Sequence, residues 1–181
     1  MKDLAERAGV SLAALYRYFP SKDHLLAISY SRYEGTLRRI SSEMPRGATA
    51  RERVTDFLLR VFRAEQRDQQ LAAALTRVLS DTRPEYRQAI YKVEQLRLQV
   101  LQQAALGGDP VTDEQYRVLR IVADVLSAAT RRWLAGVSSA AEARFEIRVG
   151  CYLLSTPGLF PGDDLTDSAS TSDARSLSRP A

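Results

Sequence analysis

The chain has 181 residues, 45% of them hydrophobic and 27% charged, with a formal net charge of +4. This is the balance of a soluble globular protein with enough apolar material for a core, and it excludes a wholly disordered chain. The single cysteine, Cys151, excludes an internal disulfide, and no apolar run approaches the roughly 20 residues of a membrane span, so a cytoplasmic protein without membrane contact is expected.

Apolar residues recur at three- and four-residue steps and no convincing period-2 strand is present, which predicts an all-α protein. Helices are expected over 1–8, 11–18, 21–43, 49–67, 69–81, 83–106, 112–135 and 139–155. The opening stretch is the most informative. Ala5 is small enough for two helices to approach closely, Gly9 can end the first helix with a positive φ, and Leu15 lies where the second helix needs an apolar anchor. That spacing marks a helix-turn-helix, whose second helix enters the DNA major groove. Ser11 is placed to cap that helix, and Leu15 and Phe19, four apart, to face the core. Leu12, Ala13, Tyr16 and Arg17 fall elsewhere around it, free to face DNA. Leu12 and Ala13 can touch thymine methyl groups, whereas Tyr16, Tyr18 and Lys22 suit phosphates. Ser21 is expected to cap the next helix.

Further along, four segments open with the pattern of a capping box: Thr49 with Glu52, Thr82 with Glu85, Thr112 with Gln115, and Ser139 with Glu142. Gly47, Gly107 and Gly136 are the expected stops. The helix at 112–135 is apolar around much of its girth and the one at 139–155 carries Phe145, Val149, Tyr152 and Leu153, so both are expected to pair with their copies as a homodimeric four-helix bundle. Residues 161–181, without aromatics and rich in Ser, Thr, Asp and Ala, are expected to be a disordered tail.

Aromatics in the larger part suggest a small-molecule pocket of the usual apolar kind, with Phe57, Phe62 and Tyr91 as the candidate lining. Arg87, Arg97, Arg131 and Arg132 are open to two readings: they meet an acidic group of a ligand, or they are solvated helix faces. No catalytic chemistry is visible. His24 and Cys151 are too far apart for a local metal motif, and there is no nucleophile elbow, phosphate-cradling loop or dinucleotide fingerprint. Neither a cofactor nor a metal is expected.

The residues Gly9-Val10-Ser11, then Leu15 through Lys22, then Leu25-Leu26, resemble the N-terminal DNA-binding domain of the TetR family of bacterial repressors. The resemblance implies an all-helical homodimer. It implies a DNA-binding head with its connector helix at 1–43, and a ligand-binding and dimerisation domain at 44–160. Effector binding alters the spacing of the two heads on a palindromic operator. By the same resemblance the DNA contacts fall on Ser11, Leu12, Ala13, Ala14, Tyr16, Tyr18 and Lys22. The stretch from Thr112 to Tyr116, Asp124, Trp133-Leu134 and Leu75-Thr76-Arg77 look most like actinobacterial repressors of steroid breakdown, which respond to steroid coenzyme A thioesters. The family has one more helix before the turn than this chain shows. The chain as written is therefore expected to bind DNA weakly or not at all while its larger domain folds and dimerises. The alternative is a dimeric ligand-binding protein that has lost its operator.

Overall fold

The computed structural model describes residues 1–160 apart from Ala8, Pro20, Met44 and 81–83, and for several positions, 22–28 among them, the backbone alone. The expected tail and the capping pair of Thr82 with Glu85 lie outside the described residues. Within them the chain is all helical: α1 Lys2–Arg7, α2 Leu12–Tyr18, α3 Lys22–Ser42, α4 Ala50–Arg67, α5 Gln69–Leu79, α6 Arg87–Leu106, α7 Asp113–Leu134 and α8 Ala140–Gly150.

Local chemistry sets most boundaries. At Gly9, with φ +64°, α1 ends in a Schellman pattern: Val10 N–H donates to Ala5 C=O and Gly9 N–H to Glu6 C=O. Three of the expected capping boxes close in both directions, at Thr49 with Glu52, Thr112 with Gln115 and Ser139 with Glu142. Gly107 and Gly136 adopt left-handed φ at the ends of α6 and α7. Gly47 does not stop a helix; α3 ends at Ser42 and Gly47 lies in the loop ahead of α4. Two further boundaries differ from expectation. The segment expected to start near 83 is a 3₁₀ turn over Pro84–Tyr86, and α6 begins at Arg87 with no side-chain cap. The last helix tightens after Gly150 into a 3₁₀ turn, Cys151–Ser155. A Cβ at Gly150 would lie 2.8 Å from Val125 Cγ1, so the glycine lets α8 approach α7 closely.

The core is one cluster fed by α3 to α8. Tyr33, Leu37 and Ile40 bring in the second half of α3, and Val54, Phe57, Leu58, Val61 and Phe62 form the buried stripe of α4. Leu119, Val122, Leu126 and Ala129 do the same for α7, with Ala143 and Ile147 from α8. Phe62 meets Trp133 edge-on, ring centroids 5.4 Å apart. Arg53 of α4 ties off the end of α6 by donating to the carbonyls of Ala104 at 2.9 Å and Ala105 at 2.7 Å. Arg132 and Glu146 join α7 to α8 by a charge-assisted hydrogen bond.

Cys151 is sealed at the junction of α8 with this core. Burial pushes its thiol up, against a smaller opposing hydrogen bond involving Thr55. Because the thiolate is the reactive species, native protein at neutral pH should not be labelled by iodoacetamide, and labelling should appear only on denaturation. Stoichiometric labelling of folded protein, read by mass spectrometry, would contradict this placement.

Candidate nucleic-acid interface and cavity

The small helix α2 has one inward side chain and a broad outward face. Leu15 is buried, and Ala5 of α1 is buried with α1 packed on α2. Phe19 is only half-buried, less than its expected core role. Ser11 caps α2, its hydroxyl accepting from Ala14 N–H at 3.1 Å. Leu12, Ala13, Tyr16 and Arg17 are all exposed, so the four positions share the free surface of one helix; Ala14 is half-buried. Tyr18, 71% exposed, stands at its end. Lys22 opens α3, with its side chain outside the described residues. An exposed Leu, Ala and Tyr set is costly to leave in water, and it suits contact with base edges and sugar-phosphate.

The helix α3 runs 21 residues from that head into the larger core, a span of roughly 30 Å at the helical rise. Its Tyr33 is where it meets a buried polar network. Arg97 of α6 donates through Nε to Tyr33 Oη at 2.6 Å and through Nη1 to Ser127 Oγ of α7 at 2.6 Å. Its Nη2 lies 3.7 Å from Glu65 Oε1 of α4. The other oxygen, Glu65 Oε2, accepts from Thr130 of α7 at 2.6 Å. Four helices are thereby joined by one guanidinium. Burial pushes the Glu65 carboxyl up, and Arg97 and the Thr130 hydrogen bond pull the other way. Burial likewise pushes the Tyr33 phenol up to about 12, against the lowering influence of Arg97.

A raised acid favours the protonated, folded form. The Tyr33 contribution to stability is therefore complete below its ordinary value of 10.0 and is lost as pH climbs through about 12. Ultraviolet titration should show a phenol ionising near 12 that is missing from Tyr33→Phe. Identical titration curves for the two proteins would contradict it.

Against this network lies a cavity of about 510 Å³. Glu65, Arg97, Ser127 and Thr130 give it a hydrogen-bonded polar end, Glu94, Arg120, Asp124 and Arg131 add further charge to its lining, and Leu75, Leu79 and Leu98 supply apolar wall. The volume suits a small organic ligand. The aromatic residues expected to line it do not. Phe57 borders a separate void of about 10 Å³, Phe62 is sealed against Trp133, and Tyr91 is 61% exposed on α6. Of the four arginines left open from the sequence, Arg97 and Arg131 reach the cavity. Sequence reasoning missed Glu65, Ser127 and Thr130. Their only signal was a polar residue on the apolar stripe of an otherwise amphipathic helix.

Residues 1–27 match the family described as bacterial regulatory proteins, tetR family, and residues 47–154 match the tetracyclin repressor-like C-terminal domain. The chain belongs to the TetR family. This TetR-family chain is 32% identical over 158 residues to the HTH-type transcriptional repressor KstR of Mycobacterium tuberculosis, covering 85% of this chain and 70% of that protein. It is 35% identical over 153 residues to KstR of Rhodococcus jostii, covering 82% and 70%. A crystal structure of a TetR transcriptional regulator from Rhodococcus sp. RHA1 superposes with a TM-score of 0.64 at 28% identity, covering 84% of this chain and 82% of that one. The family and these relatives are transcriptional regulators, not enzymes. No helix among the described residues is long and apolar enough to cross a membrane.

Proposed function

We propose that this TetR-family regulator is a repressor that binds a palindromic operator as a homodimer and is released by a hydrophobic effector of the steroid or acyl-coenzyme A type. The observation that carries the reading is the junction at Tyr33. The helix that leads from the DNA-reading head is hydrogen-bonded, through Arg97, to the polar end of the cavity. An occupant that draws on another nitrogen of Arg97 shifts the guanidinium that holds Tyr33 and so biases the seating of α3.

Ser11, Leu12, Ala13, Ala14, Tyr16, Arg17, Tyr18 and Lys22 would contact the operator, from a head spanning 1–43. The effector and dimer functions would lie in 44–160. Phe145, Val149, Tyr152 and Leu153 are exposed on α8 and the turn after it, with Ile121 exposed on α7. That apolar set supports pairing of α7 and α8 with their copies across a two-fold axis. The relatives named as repressors support repression, and such a protein works in the cytoplasm.

Selection of bound fragments from a random DNA pool by the full chain tests this. Enriched sequences should contain two inverted half-sites, and Tyr16→Ala should weaken binding to them. Recovery of no sequence above the starting pool would remove the operator-binding reading.

A further inference from the structure

The polar end of the cavity has unused hydrogen-bonding capacity of a particular kind. Glu65 is 8% exposed and Arg97 only 11% by side chain, and the 3.7 Å between Nη2 and Oε1 is too long for a hydrogen bond. Arg97 spends Nε on Tyr33 and one N–H of Nη1 on Ser127. Nη2 stands 3.7 Å from Oε1 without closing on it. Glu65 spends Oε2 on Thr130, while Oε1 faces Arg97 across that longer gap. A donor and an acceptor of opposite charge thus stand side by side in the cavity wall, slightly too far apart to satisfy one another.

The occupant's chemistry follows from that pair. A carboxylate placed here would be drawn to Arg97 but would face Glu65 at short range. An ammonium would be drawn to Glu65 and face Arg97. Both would be desolvated where screening is weak. The other charged residues of the lining, Glu94 and Asp124 with Arg120 and Arg131, are balanced in number, and Asp124 adds negative charge near Arg97, which opposes an incoming carboxylate further. A neutral oxygen carrying its own proton meets both partners, accepting from nitrogen and donating to oxygen. The leucines of the wall then take an apolar body.

We infer that the cavity takes a lipophilic ligand ending in an uncharged hydroxyl, which accepts from Arg97 Nη2 and donates to Glu65 Oε1. This rests on the reading of the cavity as the effector site and narrows it to the chemistry of the buried end. The wall discriminates against charged ends of either sign, and Glu65 is the specificity-determining residue against acids.

Three probes of equal chain length test it: decanol, decanoate and decylamine, titrated calorimetrically into the full chain. Decanol should bind roughly tenfold more tightly than either charged chain, as expected when a buried charge meets a like charge. In Glu65→Gln the carboxylate repulsion disappears and the cavity gains net positive charge. Decanoate should then match or exceed decanol, while decylamine stays weakest. A purely structural Glu65 would lower all three affinities together and leave their order intact. Tighter binding of decanoate or decylamine to the native protein, or an unchanged order in Glu65→Gln, overturns the inference. Equal binding of all three overturns it while leaving the cavity as an effector site. Binding of none overturns both readings.

Discussion

Arg97→Ala is expected to destabilise the fold by about 3–5 kcal/mol, the range found when one partner of a buried ion pair is removed. The reason is the number of groups it abandons. Glu65 is left in a buried site without its cation, and Tyr33 and Ser127 lose their donor. An unsatisfied buried polar group costs about 1–3 kcal/mol. Arg97→Lys should rescue only part of this, because one ammonium cannot reach three acceptors held in the fork geometry of a guanidinium. Adding Glu65→Gln to Arg97→Ala should recover a substantial fraction by removing the stranded carboxyl. Urea unfolding of the native protein, Arg97→Ala, Glu65→Gln and the double variant forms a double-mutant cycle. Additive effects of the two changes would mean that Arg97 and Glu65 do not act as a pair.

On the proposed pairing of α7 and α8, Phe145→Glu should leave the chain monomeric with little change in the protomer. Phe145 is 66% exposed on α8, so the substitution leaves no cavity and strands no buried partner in the chain itself. At a two-fold interface the change appears twice, placing two carboxylates where two rings would meet. Loss of a central aromatic anchor is worth about 2 kcal/mol or more, and like-charge repulsion adds to it. The dimer dissociation constant should therefore rise by about a hundredfold or more. Light scattering should report the native chain as a dimer and Phe145→Glu as a monomer of unchanged helical circular dichroism. Operator affinity should fall with it, by about two to four orders of magnitude, because the second half-site is no longer delivered by the same molecule. A native chain that is monomeric at micromolar concentration would refute the pairing of α7 and α8.

The helix starts at Thr49, Thr112 and Ser139 were legible because a capping box is complete within four consecutive residues. The turn at Gly9 was legible for the same reason, and Ala5 with Leu15 gave the contact between α1 and α2. The large aromatics did not point to this cavity. Phe57 and Phe62 stand on the apolar stripe of α4, and a stripe says that a side chain is inside without saying whether it meets protein or empty space. Arg97 looked like any charge on a helix face; its burial depends on Tyr33, Glu65 and Ser127, each some thirty residues or more away along the chain.

By itself, then, the amino-acid order determined the helical class, the turn between α1 and α2, and the outward face of α2, since these depend on backbone bonds and periodicity within a few residues. Only the tertiary structure decided where the cavity lies and that Arg97 joins it to α3. Those features arise where helices distant in sequence cross, and whether a side chain there is solvated, paired or left facing a void is set by what the other helices bring to the same place.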